Sequence, residues 1–394
     1  MAPPAHLTAS PPADLVSHRT SDPYPYFRWL RHHAPAFAEH KASGLTVWHV
    51  SRYDDVHRLL GDRRLSKNPD LVPGYRPGPD GLNRHLVHCD PPEHTRLRHL
   101  VNGAFLPRRV SALEPYITDA ARALLDRLVP EDGVDVIADF AAPLTFNLIC
   151  TILGVPDHMN TPAVRAMLAD TVVPGARPHS GAALRAFFQD LIAHKRRHTT
   201  APSDLLGALV QAGGALTEEE LTGTAYLLLL VGHDTTVNLI GNGILALLHH
   251  PQRLKELRGH PELLESGLEE LLRYDSPVRE ATFRAATSPV ELHGRTIRPG
   301  DIVSLLIGSA NRDETRFPHP DSLDLSRDPN EHLAFGRGRH FCVGAALARL
   351  EGRVAFRLLL EHLGDVRLAV PAEDLRWRPS RVMRGLESLP VVRS

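Results

Sequence analysis

The loop Phe335–Gly344 places a cysteine where it can act as a thiolate. Gly336 and Gly338 allow a tight turn that approaches a flat surface closely. Cys342 comes just before a helix that the apolar periodicity of residues 344–362 predicts. Unpaired N–H groups and the positive end of the helix dipole at such a position favour the thiolate over the thiol. A lone cysteine is more often a buried structural residue, but the glycine spacing and the neighbouring arginines and histidine favour a chemical role.

The apolar run of residues 225–248 is interrupted by a short polar segment, Gly232–Thr236 (GHDTT). An ionised Asp is costly at the centre of a bilayer, so a long helix through a protein core is favoured over a membrane span. A threonine hydroxyl can bond back to the carbonyl four residues earlier and, with a nearby glycine, open a local kink. Such a kink leaves a groove that small molecules such as water can occupy. The alternative, a polar interruption that serves only helix packing, is less favoured because buried polar groups need a reason.

Two further segments carry charges at helical spacing. The run Asp90–Arg98 (DPPEHTRLR) predicts a helix capped by Asp90, with Pro at the first helical position, and it places His94 and Arg98 on one face. That face is either an anion-binding surface or simply solvated. Glu270 and Arg273 lie one turn apart on another predicted helix, a spacing at which an exposed ion pair contributes little.

Composition excludes several classes of protein. The chain has 394 residues, 42% of them hydrophobic, and a formal net charge of −1, which gives no indication of nucleic-acid binding. Its three cysteines, Cys89, Cys150 and Cys342, are too far apart for a disulfide framework or a CxxC metal site, so a reducing cytoplasm is expected. The first dozen residues lack the basic start and apolar run of a signal peptide. No membrane partner is predicted.

The elements that must position these residues are mostly helical. Turn residues crowd the loop Leu71–Arg84, and short strands are predicted around Thr282–Ala286, Val290–Leu292 and Ile302–Leu306. Neither repeats nor a clean linker is present. We therefore expect a flexible arm over residues 1–20 and one mainly α domain with small β-sheets over residues 21–394. The predicted helices are Tyr26–His32, Tyr53–Leu60, Thr95–Ala104, Val110–Leu128, Ala142–Leu153, Met159–Thr171, Ala182–His198, Leu205–Ala212, Glu218–His249, Pro261–Tyr274 and Gly344–His362.

The cysteine loop resembles the heme-ligand loop of the cytochrome P450 family, F-G-x-G-x-H-x-C-x-G. The matching residues are Phe335, Gly336, Gly338, His340, Cys342 and Gly344. The resemblance implies that Cys342 is the axial ligand of the heme iron and that Phe335 packs beside the porphyrin near the sulfur. A thiolate donates electron density to the iron and favours O–O cleavage.

The other segments also match motifs of this family, and they occur in the family's order along nearly the whole chain. By resemblance, Glu270 and Arg273 form its E-x-x-R pair, joined by Arg327 in a buried structural cluster. In the family's G-x-D-T-T motif, Thr235 hydrogen-bonds the bound dioxygen and Asp234 gates proton delivery, although Val231 stands where Ala or Gly is commoner. The heme propionates are contacted, by the same resemblance, by His94, Arg98, Arg284 and His340.

The resemblance implies the cytochrome P450 fold, with one heme domain and a long central helix. It also implies a monooxygenase that binds heme b (iron protoporphyrin IX) and inserts one oxygen atom from O2 into an organic substrate, by hydroxylation or epoxidation. Because the sequence carries no flavin or iron–sulfur motif, electrons are expected from a ferredoxin and a ferredoxin reductase. The ferredoxin is expected to dock on a basic patch formed by Arg337, Arg339, Arg349 and Arg353. A monomer is expected.

The substrate is expected to be a polyketide or another secondary metabolite, because the resemblance is strongest to soluble actinobacterial members that tailor such molecules. The candidate pocket comprises the loops Leu71–His85 and Thr171–Pro178 together with Val231, Gly232, Thr236, Val278, Arg279, Glu280 and Met383. Other heme-thiolate chemistry, such as peroxygenase, carbon–carbon coupling, dehydratase-like or reductase-like reactions, stays open, as does a non-catalytic heme sensor or carrier. Asp234 and Thr235 favour the use of dioxygen.

Overall fold

The computed structural model describes residues 10–75, 81–129, 133–171, 180–198, 204–212 and 214–394. Parts of the predicted pocket loops, residues 76–80 and 172–178, lie outside these ranges, as do residues 1–9 of the predicted arm. The described α-helices are α1 Ala13–His18, α2 Tyr24–His33, α3 Tyr53–Leu60, α4 Glu93–Asn102, α5 Pro107–Ser111, α6 Glu114–Leu125, α7 Ala142–Leu153, α8 Pro162–Thr171, α9 Ser180–His198, α10 Leu205–Gln211, α11 Glu218–His249, α12 Pro251–Gly259, α13 Leu264–Tyr274, α14 Ile307–Ala310 and α15 Ala345–Leu363. The described strands are β1 Ala36–His40, β2 Thr46–Val50, β3 Leu65–Ser66, β4 Val134–Asp135, β5 Arg284–Ala286, β6 Val290–Leu292, β7 Arg295–Ile297, β8 Ile302–Leu305, β9 Val366–Leu368 and β10 Pro390–Arg393.

Backbone contacts divide the chain into two units. The first, which we call the sheet unit, comprises Met1–Arg76, Asn242–Cys342 and Arg376–Glu387. The second, the helical unit, comprises Pro77–Gly241, Val343–Leu375 and Ser388–Ser394.

The sheet unit is organised around a five-stranded sheet with the order β1-β2-β8-β5-β3. β2 and β8 run parallel, and Val50 lies opposite Leu305, so the buried faces of both strands join one apolar core. A hairpin of β6 and β7 turns through His293 and Gly294, both of which have positive φ, as a two-residue hairpin turn requires.

The helical unit surrounds the first part of α11, which begins with a reciprocal capping box. Thr217 Oγ1 accepts from the Glu220 N–H at 3.1 Å, and Glu220 Oε2 accepts from the Thr217 N–H at 2.9 Å. The apolar side chains of α11 pack with those of α4, α7, α9 and α10 in one core cluster. One helical stretch, residues 136–153, is apolar and long enough to cross a membrane, but 61% of it is buried in the protein interior, as in a core helix.

The mainly α architecture with small sheets was predicted, but several local features differ. The predicted helix Val110–Leu128 is two helices, α5 and α6, because Pro115 fits only the first turn of a helix. The N-cap of α4 is Pro92 and not Asp90. With Asp90 as the cap, Pro91 would be the first helical residue, and a residue that precedes a proline, here Pro91 before Pro92, is disfavoured in a helix. The second half of the predicted arm contains α1, and the Arg19 carbonyl accepts a hydrogen bond from Arg279.

Candidate active site

The Cys342 loop of the sheet unit is a tight turn held by backbone hydrogen bonds. The Cys342 N–H donates to the Phe335 carbonyl at 2.9 Å, and Gly336 and Gly338 have φ of +68° and +74°. A side chain on Gly338 would lie 3.3 Å from the Gly61 Cα, at the end of α3, so glycine permits both the turn and the close contact. The thiol of Cys342 is half-buried. The loop therefore presents a thiol on a rigid main-chain frame.

Glu270, Arg273 and Arg327 come together in the same unit. Both carboxylate oxygens of Glu270 accept from Arg273, at 2.7 and 2.8 Å, and Arg327 Nε donates to the same carboxylate at 3.0 Å. The Asp324 N–H and the Asn330 side-chain amide also donate hydrogen bonds to the Glu270 carboxylate. Arg273 also donates to three main-chain carbonyls, of Asn311, Pro320 and Ser322. The cluster fixes the irregular segment that leads to the Cys342 loop.

Between its exposed ends, α11 is accessible only near its middle. From residue 221 to residue 247 the helix is buried except for residues 230–232 and residue 235. Thr235 Oγ1 donates to the Val231 carbonyl at 2.6 Å, the back-bonding that the sequence predicts. Because the hydroxyl proton is used in this bond, Thr235 offers acceptor lone pairs to its accessible side. The side chain of Asp234 beside it is buried.

Two neighbours fix the position of this segment. A side chain on Gly232 would lie 2.7 Å from Cδ1 of Ile149, so the glycine lets α7 pack closely against α11. His233 is buried, and its Nδ1 is 2.7 Å from the hydroxyl of Thr145 on α7. The polar segment of α11 is therefore held by α7 on one side and accessible at Val231 and Thr235 on the other.

The cationic candidates for propionate binding occur in both units. On α4, His94 is buried and Arg98 Nε donates to the Asn102 side chain at 2.8 Å. In the sheet unit, Arg284 is buried and donates to the Thr282 carbonyl at 3.1 Å. His340 is half-buried within the Cys342 loop.

The buried Lys67, which the sequence reasoning missed, fixes the segment before Arg284. Its Nζ donates to the carbonyls of Thr282 and Phe283, at 2.9 and 2.8 Å, and to the Thr282 hydroxyl. These bonds hold the residues from which Arg284 projects.

The donor set fits a heme better than a metal ion bound by protein alone. Within the described residues, no group of three or more His, Cys, Asp or Glu side chains is arranged to hold a metal ion. A single half-buried thiol can instead serve as the one protein ligand of an iron that a porphyrin carries.

Comparison with known proteins identifies the family. A family model described as Cytochrome P450 matches residues 15–167 and 182–364. This chain belongs to the cytochrome P450 family. Cytochrome P450 107B1 of Saccharopolyspora erythraea is 43% identical over 368 residues, 89% of this chain and 90% of that protein. Cytochrome P450 monooxygenase PikC of Streptomyces venezuelae is 40% identical over 399 residues, 98% of this chain and 95% of that protein.

A solved structure agrees with the predicted fold. The tirandamycin C-bound P450 monooxygenase TamI is similar with a TM-score of 0.88 and 39% identity, over 96% of this chain and 98% of that one. The predicted P450 fold is confirmed. The protein is a P450 monooxygenase with heme iron as its cofactor, and it acts on small molecules with electrons from redox partners.

A buried glutamate on α15, Glu351, is a further residue of this P450 that the sequence reasoning missed. Burial raises the pKa of its carboxyl from the ordinary value of 4.5 to about 8, against the opposing effect of a hydrogen bond with Thr236 of α11. Its Oε1 atom has no hydrogen-bond partner within the described residues. One signal was available, because Glu351 follows the buried Leu347 by one turn on the apolar face of the helix. It joins α15 to the residue after Thr235.

We expect Glu351→Gln to change how stability depends on pH. With a raised pKa, the folded protein holds a proton that the unfolded chain loses, so wild-type stability falls as the pH rises from about 5 to about 8. The slope is at most about 1.4 kcal/mol per pH unit. Gln cannot titrate, so the free energy of unfolding of the variant should rise relative to wild type across this window. Urea unfolding at several pH values measures it, with the exposed Glu361→Gln on the same helix as control. Parallel profiles for wild type and E351Q would contradict the raised pKa.

The predicted pocket residues of the sheet unit have well-defined contacts. Val278 forms a β-bridge with Met383. Arg279 is buried and donates to three main-chain carbonyls, those of Arg381, Arg19 and Ser380. The guanidinium of Arg279 therefore fixes the main chain, and its place in the substrate pocket stays a prediction.

Glu280, beside Arg279, accepts a hydrogen bond from the Ser304 hydroxyl at 2.7 Å. The remaining predicted pocket residue of α11, Thr236, is buried and bonded to Glu351.

Proposed function

We propose that this P450 hydroxylates or epoxidises a bulky secondary metabolite of the polyketide type. The observation that carries the proposal is the middle of α11, where Val231 and Thr235 are accessible in an otherwise buried stretch beside Asp234. The names of relatives support the substrate class. They include Polyketide biosynthesis cytochrome P450 PksS of Bacillus subtilis and Mycinamicin IV hydroxylase/epoxidase of Micromonospora griseorubida.

We assign the binding of heme b to the residues of the family motifs. Cys342 would ligate the iron, and His94, Arg98, Arg284 and His340 would contact the propionates. When bound, heme supplies the activation of dioxygen that no amino-acid side chain provides. The half-buried thiol and the cationic side chains suit such a group in charge and donor type.

The residues of α11 and α15 hold protons at defined atoms. The Thr235 hydroxyl donates to the Val231 carbonyl and so accepts a hydrogen bond from a water or substrate group on its accessible side. Glu351, with a pKa of about 8, keeps a proton near neutral pH beside Thr236. Asp234 immediately precedes Thr235 in the chain, and its side chain is buried. We assign to Asp234, Thr236 and Glu351 the supply of protons, and to Thr235 the positioning of the group that receives them.

Thr235→Ala should separate oxygen consumption from product formation. Loss of the hydroxyl removes the positioned acceptor, so product formed per electron should fall by roughly one to two orders of magnitude, with hydrogen peroxide appearing in its place. Thr235→Ser, which keeps the hydroxyl, is the matched control and should stay close to wild type. Oxygen uptake, peroxide and product are measured together with the same electron donor. Equal coupling in T235A and wild type would remove Thr235 from the mechanism.

The substrate class is tested by titrating the holoenzyme with candidate substrates and measuring the shift of the heme Soret band. A macrolide or another cyclised polyketide, a C16 fatty acid and a steroid form the panel, because solved relatives include complexes with a hexadecenoyl carrier protein and with testosterone. Saturable binding of the polyketide at the lowest concentration is the expected result. Tighter binding of the fatty acid or steroid would overturn the assignment.

We also propose a cytoplasmic monomer that receives electrons from an acidic ferredoxin and its reductase. Arg337 and Arg339 lie in the Cys342 loop, and Arg349 and Arg353 lie one turn apart on α15. Reduction by ferredoxin should slow as ionic strength rises, because salt screens the attraction between these cations and an acidic partner. Reduction by dithionite is the control and should be much less sensitive to salt. A ferredoxin reduction rate that salt leaves unchanged would contradict this docking.

A further inference from the structure

Asn102, the last residue of α4, contacts the side chain of Arg98 one turn earlier. Asn102 Oδ1 accepts from Arg98 Nε at 2.8 Å. We propose that Asn102 is a positioning residue for Arg98: it orients the guanidinium for an anionic carboxylate ligand without neutralising its charge. The proposal rests on the proposed function, in which Arg98 binds a heme propionate.

The geometry of a guanidinium explains why one bond matters. The group is planar, and its five N–H donors lie in a fixed fork. A bond at Nε therefore sets the orientation of the whole plane and directs the terminal nitrogens away from Asn102. Arg98 lies on an accessible part of α4 and carries a long side chain, so fixing its orientation beforehand reduces the entropy lost on binding a carboxylate.

The acceptor of this hydrogen bond, the side-chain amide of Asn102, is also neutral. An Asp at position 102 could form a similar bond, but its charge would pair with the guanidinium and compete with the propionate. It would also add a negative charge beside the residue that would hold a heme propionate, and added negative charge there would favour the ferric state. The amide supplies the geometry of an acceptor without this charge.

Helix propensity does not explain the choice of asparagine. Asn is among the poorer helix formers, and Ala is the best. At the last residue of α4 this difference is small, so Asn102→Ala should leave the melting temperature nearly unchanged. Weaker heme retention in N102A without lower stability is a result that a merely structural role does not produce.

The test compares Asn102→Ala, Asn102→Asp and Arg98→Ala with His99→Asp in the purified holoenzyme. His99 is exposed on the same helix, so H99D adds the same charge without the bond to Arg98. The readouts are the rate of heme transfer to apomyoglobin, the heme midpoint potential by dye-mediated titration and the melting temperature. We expect heme transfer several-fold faster than wild type in N102A, faster again in N102D and fastest in R98A. The potential should shift to more negative values in N102D by more than in H99D.

The outcomes separate the two assignments. If R98A accelerates heme transfer while N102A and N102D match wild type and H99D, the positioning role of Asn102 is wrong and the propionate role of Arg98 stands. If R98A itself transfers heme at the wild-type rate, the propionate assignment is wrong and the inference fails with it. Equal potential shifts in N102D and H99D would show a general charge effect and would also overturn the inference.

Discussion

Cys342→Ser is expected to abolish the red-shifted Soret band of the reduced carbon monoxide complex and to reduce monooxygenase turnover to background. A serine hydroxyl stays protonated at neutral pH and cannot donate electron density to the iron as a thiolate does. The loop itself should survive, because its hydrogen bond is from the residue 342 main chain to the Phe335 carbonyl and its glycines are unchanged. Carbon monoxide difference spectra and turnover with the same electron donor measure the two effects.

The other two cysteines provide matched controls with a physical reason to differ. Burial, reinforced by the nearby Asp90, raises the pKa of the Cys89 thiol to about 12. Burial likewise raises the pKa of the Cys150 thiol to about 12. Neither side chain is a thiolate at neutral pH, so Cys89→Ser and Cys150→Ser should keep the red-shifted band. A C342S protein that keeps the band would move the ligand assignment to another residue.

The sequence predicted the long elements well, since their apolar periodicity is a local property. The bounds of α7 and α11 agree with the prediction, and those of α9 differ only at its start. Some shorter elements, such as α3 and β6, were also predicted, but α12 and β10 were missed for a physical reason. In α12 only Leu257 is buried, so the helix has almost no apolar face to recognise. β10 pairs with β4 and β9, neither of which is adjacent to it in the sequence. The sequence pattern of residues 390–393 alone therefore does not reveal this pairing.

The motif residues were predictable because resemblance identifies them one by one, whereas their supports depend on tertiary contacts. Glu351 and Lys67 belong to residue types that are mostly exposed, yet both are buried. The hydrogen bonds of Arg279 are a similar case, because its guanidinium donates to three main-chain carbonyls that lie far away in the chain. The contact of Asn102 with Arg98 is local by contrast, because the predicted helix Thr95–Ala104 already contains both residues one turn apart.

Glu270→Gln is expected to lower the free energy of unfolding by about 3–5 kcal/mol, a large part of the stability of a typical domain. Arg273 is completely buried, and the Arg327 side chain is 8% exposed. Removing the carboxylate charge leaves two buried guanidinium groups without their counter-ion, although Gln keeps the shape of the side chain. Holoenzyme yield should also fall, because the cluster holds the segment that leads to Cys342.

The neighbouring Glu269 is the matched control for this prediction. It contacts His332 at 3.0 Å, but its side chain is 26% exposed, so Glu269→Gln should change the free energy of unfolding by less than about 1 kcal/mol. Urea unfolding followed by tryptophan fluorescence and by the Soret band measures both variants. Should E270Q yield too little folded protein, Arg327→Lys keeps a cation near Glu270 and should show a smaller loss in the same direction. Equal stability of E270Q and E269Q would show that the buried cluster does not carry this part of the fold, because Glu270 neutralises two buried guanidinium groups that always carry a charge.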